Sequence, residues 1–197
     1  MDLILLEPGD KKVFGKDGAD NNWDKGGSLI DYQDPPGSYA DKPGKMGPYI
    51  ELVSIHQGLK QQVTTDVSNS ARTSGRPIIT EFTCVKYVDK TSVRFYDYCL
   101  RAQPLGKGAK EPTKIHILRN SGDKTANIMT FELRDAIISE IQFQSHPDDM
   151  PTEQFKINFT EILWAFTVQN TDTSQVNGNR TAGWSLARNR PIGALSE

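Results

Sequence analysis

FKINFTEILWAFTVQN, residues 155–170, carries the pattern that decides the fold. Phe155, Ile157 and Phe159 alternate with polar neighbours as a half-buried strand requires, and Ile162, Trp164, Phe166 and Val168 continue the alternation in the opposite phase. Side chains on a strand alternate with a period of two, so a reversal near Thr160 and Glu161 requires one extra residue. The simplest devices are a β-bulge or a corner at which the strand passes from one sheet to another. Closed barrels use this device. A straight open sheet would instead carry Ile162, Trp164, Phe166 and Val168 on its outer face, and such a patch needs a partner.

The flanking sequence supplies more strands. Tyr49, Glu51, Val53 and Ile55 lie on one side of a strand, with Ile50, Leu52 and Ser54 on the other. The polar, turn-rich stretch TTDVSNSARTSGRP, residues 64–77, reads as a mobile loop or a projecting hairpin before the chain returns at Ile78 to Val85. Lys114 to Leu118 and Ile128 to Leu133 are joined by NSGDKTAN, a hairpin signature. Ala136 to Phe143, the quoted stretch and Thr181 to Leu186 follow. After Asp89, a good N-cap, Val93, Tyr96 and Leu100 fall at helical spacing, with Cys99 beside them. Pro104 and GKGAK, residues 106–110, close that helix. About eight or nine strands and one helix make a barrel or a sandwich.

The chain has 197 residues, which fits a single domain. Asp2 to Leu6 reads as a short first strand, and Glu7 to Gly47 then carries eight Gly, four Pro and seven Asp. A buried sheet does not accept that composition. The segment reads as a long surface excursion anchored by a few apolar residues, among them Val13, Phe14 and Trp23. Lys plus Arg number 23 against 25 Asp plus Glu, so the chain lacks the basic excess of a nucleic-acid binder. The longest aliphatic run, Leu3 to Leu6, spans no membrane and makes no secretory signal, which points to synthesis for the cytoplasm. Cys84 and Cys99 have no metal-type spacing and read as a reduced, packed pair.

The search for chemistry is negative. His146 with Asp148 and Asp149 reads as turn chemistry, and Asp17, Asp20 and Asp24 lack the spacing and terminal Glu of a calcium loop. Thr73, Ser74 and Gly75 form no nucleophile elbow, Cys84 sits in a strand, and GKGAK lacks the spacing of a phosphate loop. Trp164 and Trp184 have faces suited to stacking a base or a sugar, but aromatic residues on strands are usually core. No enzyme, metal or cofactor is expected.

RTSGRP at 72–77, VDKTS at 88–92, FELRDAIISEIQ at 131–142, PTEQFKINFTEILWAFTVQN at 151–170 and TAGWSL at 181–186 together resemble the haemolysin co-regulated protein (Hcp) family, the tube proteins of bacterial type VI secretion. The resemblance covers residues 49–188 in the family's order. It implies an antiparallel β-barrel of two facing sheets with one flanking helix, assembling as a ring, typically a hexamer, whose stacked copies form a tube. Sheath and spike proteins and small effectors would be its partners, and secretion from a Gram-negative cell would need no cleaved signal peptide. It further implies that the loop from Asp66 to Arg76 reaches the neighbouring ring, through Asp66, Ser68, Asn69, Arg72, Thr73, Ser74, Gly75 and Arg76. Solvated turn residues are the plain alternative. Ile162, Trp164, Phe166 and Val168 would serve barrel closure or the lateral contact between subunits. The excursion from Glu7 to Gly47 departs from the family's short turn after the first strand. The competing function is a monomeric ligand-binding barrel with that excursion as a lid.

Overall fold

The phase reversal in the 155–170 stretch is a corner between two sheets. The computed structural model describes residues 2–14, 49–65, 72–121, 124–169 and 176–197. Strand β1 is Asp2–Glu7, and β2, Ile50–Leu52, and β3, Ser54–His56, lie on either side of Val53. Four short strands follow: β4, Leu59–Lys60; β5, Val63–Thr65; β6, Arg72–Ser74; and β7, Ile78–Ile79. Next come β8, Phe82–Tyr87, and helix α1, Ser92–Leu100. The remainder is β9, Thr113–Ser121; β10, Lys124–Arg134; β11, Ile137–Gln144; and β12, Thr152–Asn158. Strands β13, Glu161–Gln169, β14, Val176–Ser185, and β15, Arg190–Pro191, complete it.

One antiparallel sheet has the order β15-β14-β13-β10-β9-β1-β2, and the other β11-β12-β8-β3. Three long strands bend from one to the other. β2 continues into β3 at Val53, β10 into β11 at Asp135 and Ala136, and β12 into β13 at Phe159 and Thr160. Followed through these bends, the paired neighbours run β9, β1, β2 with β3, β8, β12 with β13, β10 with β11, and return to β9. The wall thus closes on itself, and the corners keep their backbone groups bonded. Thr160 N–H donates to Arg134 O at 3.1 Å, and Leu186 N–H donates to Thr160 O at 2.9 Å. Asp135 turns its corner at φ 50°, a left-handed conformation that Asp tolerates better than most residues.

Because the corner re-aims the chain, Phe155, Ile157, Phe159 and Ile162 all face one core. Phe82 reaches across from the smaller sheet, with ring centroids 5.1 Å from Phe131 and 5.9 Å from Phe159. Each such ring contributes about 1.5–3 kcal/mol by leaving water. Cys84 is buried in this core and Cys99 half-buried, both as free thiols, and burial pushes the Cys84 thiol well up.

Helix α1 corrects the expected apolar face. Val93 is 72% and Leu100 88% exposed, whereas Ser92, Phe95 and Tyr98 are buried. The face is chosen by its aromatic residues: Phe95 stacks edge-to-face on Phe155 at 5.0 Å, and the Tyr98 hydroxyl donates to Asp10 Oδ2 at 2.9 Å. Asp89 does organise the start, accepting the Thr91 N–H at 2.7 Å, although the helix itself begins after Thr91.

The Glu7 to Gly47 excursion is anchored at its beginning through two of the residues expected to do so. Lys11–Phe14 form a 3-10 turn that buries Val13 and Phe14 in the core. Residues 15–48 lie outside the described part. The GKGAK run is no simple solvated turn, since Gly106 is buried against Gly9. A Cβ at Gly106 would stand 2.1 Å from Glu111 O and 2.9 Å from Gly9 Cα, so only glycine allows this crossing.

Candidate self-assembly surface

Between β3 and β8 the chain forms one long hairpin arm in three paired stages. At its base Ser54 pairs with Val85 and His56 with Thr83. Beyond them Leu59 pairs with Ile79 and Lys60 with Ile78, and further out Val63 pairs with Ser74 and Thr65 with Arg72. The irregular steps between stages are held by side chains and backbone together. Gly58 N–H donates to Thr80 Oγ1 at 2.7 Å, and Gly75 N–H donates to Gln62 O at 3.0 Å. Of the 64–77 stretch, the described ends pair as a hairpin, Thr64 with Thr73 and Thr65 with Arg72.

This places part of the expected stacking set. Arg72, Thr73 and Ser74 are the strand β6 of the arm, and Gly75 sits at its inner step. Arg76 is turned back on its own subunit, its guanidinium donating to Leu186 O at 2.6 Å. Asp66, Ser68 and Asn69 lie outside the described residues. The arm leans over the larger sheet and leaves a groove of about 330 Å³, lined by Leu59, Pro77, Ile78, Ile79, Trp164 and Trp184. On the arm Leu59, Val63 and Ile78 remain exposed.

The expected wall residues separate by depth. Ile162 is wholly buried, facing the core and not a neighbour. Trp164 packs against the core from beneath the arm, and Phe166 is 44% exposed. Val168 belongs to β13, and its side chain lies outside the described part.

Two buried polar clusters escaped the sequence reading. Lys86 on β8 and Glu153 on β12 are both fully buried, with Nζ 2.7 Å from Oε1. Ser92 and Tyr96 of α1 each donate a hydroxyl to Glu153 at 2.9 Å, so the ion pair holds the helix on the sheet. The available signal was phase: Lys86 falls in step with Phe82 and Cys84, and Glu153 with Phe155 and Ile157, so both charges occupy inward positions of the period-two pattern. In the second cluster His116 Nε2 lies 3.1 Å from Glu7 Oε2 and Nδ1 lies 3.1 Å from Thr130 Oγ1. Burial pushes the Glu7 carboxyl up, but the His116 hydrogen bond and the Lys11 ammonium outweigh it and hold it at about 2. Carboxylate, imidazole and hydroxyl in a row have the order of a nucleophilic triad. Here His116 and Thr130 are buried, and the Thr130 hydroxyl already accepts the Asn127 amide at 2.8 Å. The row braces the wall.

A family model described as type VI secretion system effector, Hcp, matches residues 33–166, well over half of the chain. The chain belongs to the Hcp family. Solved structures agree at the level of fold. One described as a type six secretion system protein superposes with a TM-score of 0.72 at 17% identity, over 98% of this chain and 100% of that one. Hcp1 from Salmonella typhimurium gives 0.59 at 16% identity, over 97% and 99% of the two chains. Hcp2 from Salmonella typhimurium gives 0.52 at 15%, over 93% and 94%. Comparison with curated protein sequences gives no match. Membership of the Hcp family makes this a type VI secretion protein, mainly β, with antiparallel sheets and a helix on the core. Among the described residues no helix is long and apolar enough to cross a membrane.

Proposed function

We propose that this Hcp-family chain is a structural subunit of the type VI secretion inner tube, made in the cytoplasm and released without a cleaved signal peptide. Copies close into rings, rings stack into a tube, and the tube carries or chaperones small effectors under the action of sheath and spike proteins. The observation that carries the reading is the family match over residues 33–166 on a closed, bent wall. Among the described residues Phe82, Phe95, Phe131 and Phe155 pack the interior, which turns attention to the external surfaces.

Head-to-tail contacts that close give rings, and contacts that repeat along an axis give tubes. The arm, with Leu59, Val63 and Ile78 exposed, supplies the axial contact, together with the residues from Asp66 to Arg76. Phe166 contributes to the lateral contact, while Ile162 and Trp164 build the wall behind it. The packed interior of the described residues favours this reading over a ligand-binding barrel, which requires a cavity. Sedimentation velocity tests it: a discrete ring-sized species is expected at tens of micromolar. A single-subunit mass at every concentration, with stabilisation by a small apolar ligand, would replace the tube by the ligand-binding reading.

A further inference from the structure

At the corner between β12 and β13 two charged side chains hold Ser196 and Glu197 of the same chain. Glu161 is 2% exposed, yet its carboxylate is fully engaged. Ser196 donates its N–H to Oε2 at 2.7 Å and its hydroxyl to Oε1 at 2.7 Å. From the other side Arg134 Nε donates to Ser196 O at 2.9 Å, and a second guanidinium nitrogen donates to Glu197 O at 3.3 Å. The same guanidinium is braced by Asp135 Oδ2 at 2.9 Å. A carboxylate that takes an N–H and an O–H from one residue, beside a guanidinium that takes successive carbonyls, is a receptor for a serine-containing peptide.

The route by which that peptide arrives is short of other holds. Ile192 N–H donates to Gly183 O at 3.0 Å, which fixes the segment beside β14. Gly193 and Ala194 are exposed, and a Cβ on Gly193 would meet nothing within 4 Å. β15 is a two-residue strand at the free edge of the larger sheet. The grip is therefore concentrated in Ser196 and Glu197, and nothing in its chemistry depends on which copy supplies them. We propose that the Glu161 and Arg134 corner is a peptide-docking site that the 192–197 segment of a second copy of this chain fills when copies stand side by side. Exchange of an identical element between subunits is a low-cost way to join them, because every contact is already made within one subunit. The proposal rests on the self-assembling reading but has its own test.

The full chain is made with a photo-crosslinking benzophenone amino acid at position 197, an exposed site, in isotopically heavy and light forms. Equal amounts are mixed while dispersed, concentrated, irradiated, and the crosslinked peptides are read by mass spectrometry. Position 197 is expected to link to the peptides holding Arg134 and Glu161, and with full exchange about half of the links join a heavy chain to a light one. Glu161→Gln should lower these links in both forms. Only same-label links in an assembled sample, or no links to the corner, would overturn the docking site and leave the tube reading standing. Mixed-label links in a sample without rings would do the reverse.

Discussion

Lys86→Met removes an ammonium group that is wholly shielded from water and leaves its partner charged in the same place. In the native chain Nζ lies 2.7 Å from Glu153 Oε1, 2.9 Å from Asp89 Oδ1 and 3.1 Å from Ser92 Oγ. Glu153 is as buried as Lys86, so no solvent can replace the lost cation, and only the Ser92 and Tyr96 hydroxyls remain to it. Breaking a buried pair by removing one partner costs about 3–5 kcal/mol, because the remaining charge keeps its desolvation penalty. In a domain of this size each kcal/mol lowers Tm by about 2–4 °C, so a drop of roughly 10 °C is expected. Removing both charges, as Lys86→Met with Glu153→Leu, deletes the penalty and leaves mainly the two hydroxyls unpaired, at about 1–3 kcal/mol each. The double variant should therefore be no worse than Lys86→Met alone, so the coupling is at least what Glu153→Leu costs by itself, about 3–5 kcal/mol. Urea unfolding followed by circular dichroism measures all three changes. A cost for Lys86→Met below about 1 kcal/mol, or a double variant equal to the sum of its singles, would refute the reasoning.

Three further outcomes follow from the same geometry. Phe155→Ala leaves the ring of Phe95 without its edge-to-face partner in a dry core and should cost about 3–5 kcal/mol in urea unfolding, with the unfolding slope unchanged. Gly106→Ala forces a Cβ against Glu111 O and Gly9 Cα, both backbone, and should destabilise by about 1–3 kcal/mol, whereas Gly193→Ala, in open space, should change stability little. Glu7, held at about 2 against 4.5 for a free carboxyl, has a depressed folded-state pKa. Its stabilisation is thus complete above pH 4.5 and is lost as pH falls towards 2; the difference is worth about 3 kcal/mol, and Glu7→Gln should flatten that stretch of the acid-unfolding curve.

The fold was legible where a side chain's period carries the information. The reversed phase around Thr160 meant a corner, and Phe155, Ile157, Phe159 and Ile162 do turn to one core there. The hairpin of β9 and β10 was legible from its turn residues, with Ser121 paired to Lys124. Long-range choices were not. The helix spacing suited either of two faces, and Phe155 on a distant strand selected the one with Phe95. The four short strands of the arm have too few residues to show alternation, so 64–77 read equally well as a loop. Buried charges defeated the reading for a different reason: Lys86 and Glu153 are each unfavourable inside, and only their meeting 67 positions apart makes them acceptable. Of the expected stacking set, Arg72, Thr73 and Ser74 fall on one strand of the arm, but the inward turn of Arg76 depends on Leu186 O, a group that sequence cannot place. The grip of Glu161 on Ser196 was invisible for the same reason.

Electron microscopy of the purified full chain in negative stain reaches the central claim most directly. A bent, closed wall whose outward faces meet copies of itself should appear as uniform annular particles, some of them stacked end to end. A field of compact single subunits at every loading, from a sample whose melting is cooperative, would contradict it.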